Sequence, residues 1–155
     1  MTHEQLLERA IRLSIDNVAQ GGGPFGAVVA REGEIVAEGV NRVTALHDPT
    51  AHAEVQAIRL AAQKLGRFDL SDCILYASCE PCPMCLGAIY WARLGALYYA
   101  ATQHDAADAG FDDAFIYREL ALTPAQRRLP TATLCREEAL EAFRRWREQA
   151  DRIDY

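Results

Sequence analysis

No stretch of this chain approaches the roughly 18 apolar residues that a membrane span requires. The opening residues, MTHEQLLERAIRLSIDNV, carry charges throughout where a signal peptide would have an apolar core. These two absences set the expectation of a cytoplasmic protein with no membrane partner. A basic surplus is missing too: 16 Lys and Arg against 22 Asp and Glu leave a net charge of -6. That is the wrong sign for a groove that neutralises phosphates, so nucleic acid is not expected as a partner. Cysteines number five, an odd count, at Cys73, Cys79, Cys82, Cys85 and Cys135. Three of them crowd into SCEPCPMC, which excludes an ordinary secreted disulfide framework and points to metal or redox use in a reducing compartment. Internal repeats and low-complexity segments are also lacking. At 155 residues the chain is long enough to bury a core without staples, and a single domain over 1–155 is expected.

Thr2 with Gln5 forms a capping-box pattern that opens a helix, and QGGGP at 20–24 closes it. FGAVVAREGEIVAEG then reads as two strands around a Glu32-Gly33 turn. A loop, NRVTALHDPT, leads to the Ala-rich helix AHAEVQAIRLAAQKLG, followed by the strand DCILYAS and the helix CPMCLGAIYWARLG. ALYYAA is another strand; the tail holds DDAFIYREL, a Pro-flanked helical stretch, a strand-like TATLC and a charged terminal helix. The alternation predicts a three-layer α/β/α sandwich. Its central sheet is mixed and five-stranded, with the first two strands antiparallel and those joined through helices parallel. Cys73 and Cys135 are expected to be buried as small hydrophobes, and Met84 and Trp91 to belong to the core.

Cys82 and Cys85 stand three residues apart where a helix begins. Both sulfurs then share one face, and the unpaired N–H groups there favour thiolates. CxxC alone serves a redox dithiol as well as a metal. PTAHAEV, at 49–55, supplies the second half: His52 at a helix start, with Glu54 two residues on. One nitrogen and two sulfur ligands leave one tetrahedral zinc position open, as a catalytic site needs. A carboxylate beside that position can take a proton and pass it on. His52-Ala53-Glu54 with Pro81-Cys82-Pro83-Met84-Cys85 matches the H-x-E and P-C-x-x-C signature of zinc nucleobase deaminases. An iron–sulfur run would need a cysteine near Ile89, and none follows before Cys135.

The chain resembles the cytidine deaminase superfamily and, within it, the small bacterial guanine deaminases. The resemblance runs nearly end to end, through GGPFGAVV, DPTAHAEV, LYASCEPCPMCLGAIYWAR, AGFDDAFIY and a terminal tyrosine. It implies a cytidine deaminase-like fold and hydrolysis of guanine to xanthine and ammonia. One Zn2+ per subunit would be held by His52, Cys82 and Cys85, and Glu54 would move protons to the ring and the leaving amine. Asn41 matches the family's base-binding asparagine, and Asp113 a ring acceptor. Phe25 stands either to stack on the base or as a core residue at a strand start. Asp112 is either a second acceptor or the cap of the helix AFIYREL. Tyr155 lies where termini are usually disordered. In the family, though, the C-terminal segment, here about 122–155, crosses to a partner and its tyrosine reaches the neighbouring active site. The resemblance therefore implies a domain-swapped homodimer. tRNA adenosine and cytosine deaminases share both zinc motifs. A structural zinc module with Cys79 as fourth ligand also remains open.

Overall fold

A computed structural model describes all residues, 1–155. The chain forms two compact units, Met1–Tyr117 and Arg118–Tyr155. The first contains α1 (His3–Ala19), β1 (Gly26–Arg31), β2 (Glu34–Val40), the single turn α2 (Val43–Leu46), α3 (Ala53–Leu65), β3 (Ile74–Cys79), α4 (Pro83–Trp91), β4 (Ala96–Ala101) and α5 (Gln103–Asp108). α6 (Asp113–Leu120) runs across the boundary, and a short 3-10 turn (Pro124–Gln126) and α7 (Arg136–Glu148) follow.

Alternation along the strands builds the layers. Ala27, Val29, Leu75 and Ala77 face one side of the sheet and pack with Ala53, Ala57 and Ala61 of α3 and with Ile89 of α4. Their neighbours Val28, Ala30 and Tyr76 face the other side and meet Leu6 and Ala10 of α1. The result is the expected α/β/α sandwich. The small residues of α3 bring its backbone close to the sheet. Gly39 of β2 shows how close: a Cβ there would lie 2.2 Å from the carbonyl oxygen of Ala53 and 2.6 Å from the nitrogen of Ala57. The capping box at Thr2 is present, with Gln5 N donating to Thr2 Oγ1 and Thr2 N to Gln5 Oε1. Arg9 of α1 grips Glu38 of β2 with two hydrogen bonds of 2.6 and 2.8 Å. The phenol of Tyr76, almost fully buried, finds its partner in His3 Nδ1 at 2.7 Å.

The sheet has four strands in the order β2-β1-β3-β4. β1 pairs antiparallel with both β2 and β3, and β3 pairs parallel with β4. β2 and β3, joined through α3, therefore run in the same direction with β1 between them. The expected fifth strand, TATLC, is exposed and irregular. Threonine and leucine fit a pleated surface, but a strand exists only where a neighbour completes its ladder, and 131–135 pairs with no strand of this chain. Cys135 is consequently exposed, starting α7 in a left-handed conformation. Met84 and Trp91 depart from expectation as well, at 38 and 69 % exposure, because they lie on the face of α4 turned away from the sheet. α5 was not foreseen from the hydrophobic pattern; Thr102 and Asp105 make a capping box that starts it.

Candidate active site

The functional residues gather where β2 and β3 end and α3 and α4 begin. His52 is the N-cap of α3 and Cys82 the N-cap of α4. Neither cap position uses its side chain to bind the helix it starts, so both side chains are free for other work, and both sit at the positive end of a helix dipole. Cys85 lies one turn further into α4, fully buried. His52 Nδ1 is 3.5 Å from Cys82 Sγ and 3.5 Å from Cys85 Sγ. Zinc bonds of about 2.3 Å to sulfur and about 2.0–2.1 Å to nitrogen, at a tetrahedral angle, separate such atoms by about 3.5 Å. The donor set and spacing both fit zinc, and His52, Cys82 and Cys85 are the residues that would hold it. Cys79, by contrast, points its thiol at the carbonyl of Thr102, 3.6 Å away, and stands outside the group. A site with four protein ligands is therefore not built here.

Electrostatics within the cluster follow from proximity. The hydrogen bond from Cys85 and the one from His52 hold Cys82 well below the ordinary thiol range, and in turn Cys85 is pushed up. His52 is raised by its bond to the Cys82 sulfur. Burial forces the Glu54 carboxyl upward, since the residue is only 6 % exposed. Asp113 is raised first by burial and then by the Cys82 charge, and burial pushes Cys79 up to about 11.

A cleft of about 530 Å³ opens in front of the cluster. Phe25, Asn41, His52, Glu54, Cys82 and Asp113 all line it. Asp113 begins α6, which is tied to the cysteine loop by a 2.7 Å hydrogen bond from the Tyr117 hydroxyl to the Pro81 carbonyl. Asp112 lies outside the lining; its carboxylate accepts from Phe115 N at 3.1 Å and caps α6. Tyr155 belongs to the second unit, 70 % exposed, its ring edge-on to Trp146 at 6.5 Å. Phe111 and Glu80 are among the lining residues that the sequence did not mark as site residues. Phe111 meets Phe25 edge-to-face at 4.9 Å and completes an aromatic corner. Glu80 brings a second carboxylate beside Asp113. Their places, two residues before Asp113 and between Cys79 and Cys82, were the available signals.

The model of the cytidine and deoxycytidylate deaminase zinc-binding region matches residues 1–101. The guanine deaminase of Bacillus subtilis is 54 % identical over the full length of both chains. Its X-ray structure superposes with a TM-score of 0.97, covering 100 % of this chain and 99 % of that one. A structure of guanine deaminase from Nitrosomonas europaea is 38 % identical, with a TM-score of 0.69 over 72 % of this chain and 65 % of that one. A tRNA-specific adenosine deaminase of Agrobacterium fabrum is 46 % identical, over 50 % of this chain and 51 % of that one.

Proposed function

Because the chain belongs to the zinc-binding family of cytidine and deoxycytidylate deaminases, and its end-to-end likeness is to a guanine deaminase, we infer that it is a zinc-dependent aminohydrolase converting guanine and water to xanthine and ammonia. The observation that carries this reading is a metal-binding triad and a buried carboxylate opening into one cleft with base-sized walls. When bound, zinc supplies Lewis acidity that brings a water molecule towards ionisation near neutral pH.

The remaining work falls to this chain's own groups. Glu54 accepts a proton from the attacking water and delivers protons to the ring and then to the departing amine. Its burial suits both duties, because a desolvated carboxylate is a stronger base and holds its proton until the amine needs it. Asp113 serves as acceptor for a ring N–H, and Asn41 offers the base its side-chain NH2, its Oδ1 already accepting from Val43 N. Phe25 and Phe111 offer an aromatic corner for the ring.

The active form in this reading is a homodimer in which the segment of about 122–155 is exchanged, carrying Tyr155 to the partner's cleft. Exposed Leu129, Leu134, Phe143 and Ile153 in the second unit support a segment that needs a partner surface. The cytoplasm is the proposed location, and no helix is long and apolar enough to cross a membrane. The charged face of α7 favours a small-molecule substrate over RNA, since Arg144 and Arg145 are both paired with Glu141.

Ammonia release is the test. The zinc-loaded protein is offered guanine, adenine, cytosine, cytidine and tRNA in separate reactions. Release from guanine is expected; release from tRNA or cytosine with none from guanine would overturn the assignment.

A further inference from the structure

The three glycines after α1 have no role yet beyond ending the helix. Gly21, Gly22 and Gly23, with Pro24, form one wall of the cleft. Asn17, in the last turn of α1, is 8 % exposed and faces the inner side of that wall. Its Nδ2 donates to the carbonyl of Gly23 at 2.8 Å and to the carbonyl of Asn41 at 2.9 Å. Its own carbonyl accepts from Gly22 N at 2.9 Å. One buried amide thus joins the wall of the cleft to the backbone of Asn41.

The fit leaves no slack. A Cβ on Gly22 would lie 2.3 Å from Asn17 Nδ2, and one on Gly23 would lie 3.1 Å from Asn41 Cγ. Small residues are needed at 22 and 23 because two asparagine side chains occupy the adjoining space. Asn41 is held on its other side as well: its N–H donates to Phe25 O at 3.2 Å, and its Oδ1 accepts from Val43 N at 3.2 Å. Its backbone is anchored in both directions, which leaves the NH2 half of its side chain for a ligand.

We propose that Asn17 is a positioning residue for base recognition, setting Asn41 and the Gly21–Pro24 wall through its two donated hydrogen bonds. The proposal rests on the reading of Asn41 as a contact to guanine. Two donors at one atom are what the place requires. Aspartate, though the same size, would set a carboxylate oxygen against two carbonyl oxygens, and alanine would remove the side-chain donor from the Asn41 carbonyl and leave the Gly23 carbonyl with Phe25 N alone.

Asn17→Ala and Asn17→Asp are expected to raise KM for guanine and lower kcat/KM by about 10- to 100-fold, the scale of misplacing a binding group by a fraction of an ångström to one ångström. Zinc content should stay at the wild-type level. A double-mutant cycle with Asn41→Ala isolates the mechanism. In the Asn41→Ala background, Asn17→Ala should cost less than about threefold further, because the group it positions is gone. Gly22→Ala approaches the same amide from the loop side and is expected to give the same KM rise; it replaces Asn17→Ala in the cycle if the latter fails to fold. Equal losses from Asn17→Ala in both backgrounds, or unchanged kinetics in Asn17→Ala, would overturn the proposal while leaving Asn41 as a base contact. Unchanged kinetics in Asn41→Ala itself would remove the reading of Asn41 and the proposal with it.

Discussion

Gly39→Ala tests how tightly the metal site depends on the packing beneath it. The added Cβ would lie 2.2 Å from the Ala53 carbonyl oxygen and 2.6 Å from Ala57 N. Carbon and oxygen normally approach no closer than about 3.3 Å, so α3 must withdraw by about 1 Å at its first turn. Ala53 sits between His52 and Glu54, and that turn carries both the proposed nitrogen ligand and the proposed proton carrier. Forcing backbone to move in a packed core costs about 1–3 kcal/mol. For a chain of this size the melting temperature should then fall by roughly 2–12 °C. Displacing His52 by about 1 Å from its 3.5 Å spacing to both sulfurs should also lower zinc retention, and a shift of that size in a catalytic group costs about 100-fold in turnover. Calorimetry, metal content after gel filtration, and ammonia release from guanine measure the three effects. Gly87→Ala is the control. A Cβ there meets nothing within 4 Å, and replacing a mid-helix glycine by alanine should be neutral or stabilising by up to about 1 kcal/mol. Wild-type melting and metal content in Gly39→Ala would refute the claim that α3 is placed by this contact.

Glu54→Gln should keep its zinc and lose about 10²- to 10⁴-fold in kcat, since an amide carries no proton between water and amine; retention of more than a tenth of wild-type kcat removes Glu54 from the proton path. Glu38→Gln should destabilise the fold at pH 7 by about 0.5–1 kcal/mol, the pair being partly exposed. Arg9 holds the Glu38 carboxyl below its ordinary 4.5, so the stabilisation is present above that value and fades as pH falls below it. Denaturation at several pH values should therefore show the gap closing in acid, and a gap independent of pH contradicts the ion-pair account. Deleting Tyr155 should lower guanine turnover with zinc content unchanged; full activity would make the terminus a spectator.

The metal centre was legible in the sequence because each half of it is local. His52 with Glu54, and Cys82 with Cys85, each lie within one turn at a helix start. A short motif therefore specifies their geometry, and only the meeting of the halves needed the fold. The layer order was legible for a similar reason, through strand alternation and helix starts and stops. What escaped depends on contacts made across the fold. Asn17 reads as one more polar residue near a helix end, until the sheet brings Asn41 to within 2.9 Å of its amide. Phe111 reads as a loop residue before its ring meets Phe25. The strand expected at 131–135 failed in the opposite direction, since its composition suits a strand and its surroundings supply no partner. Asp112 shows one residue type serving two purposes: beside Asp113 it looks like a second acceptor, and its place at the start of α6 makes it a cap.

The thirty-position separation of His52 and Cys82 also orders their synthesis in time. A ribosome adding about 5–20 residues per second delivers His52 about 1.5–6 s before Cys82, the first of the two proposed ligand thiols. His52 precedes β3 and Cys82 follows it, so the site is complete only when α3 and α4 both lie against the sheet. Zinc, once bound there, would tie the start of α3 to the start of α4 and add its binding free energy to the stability of the fold.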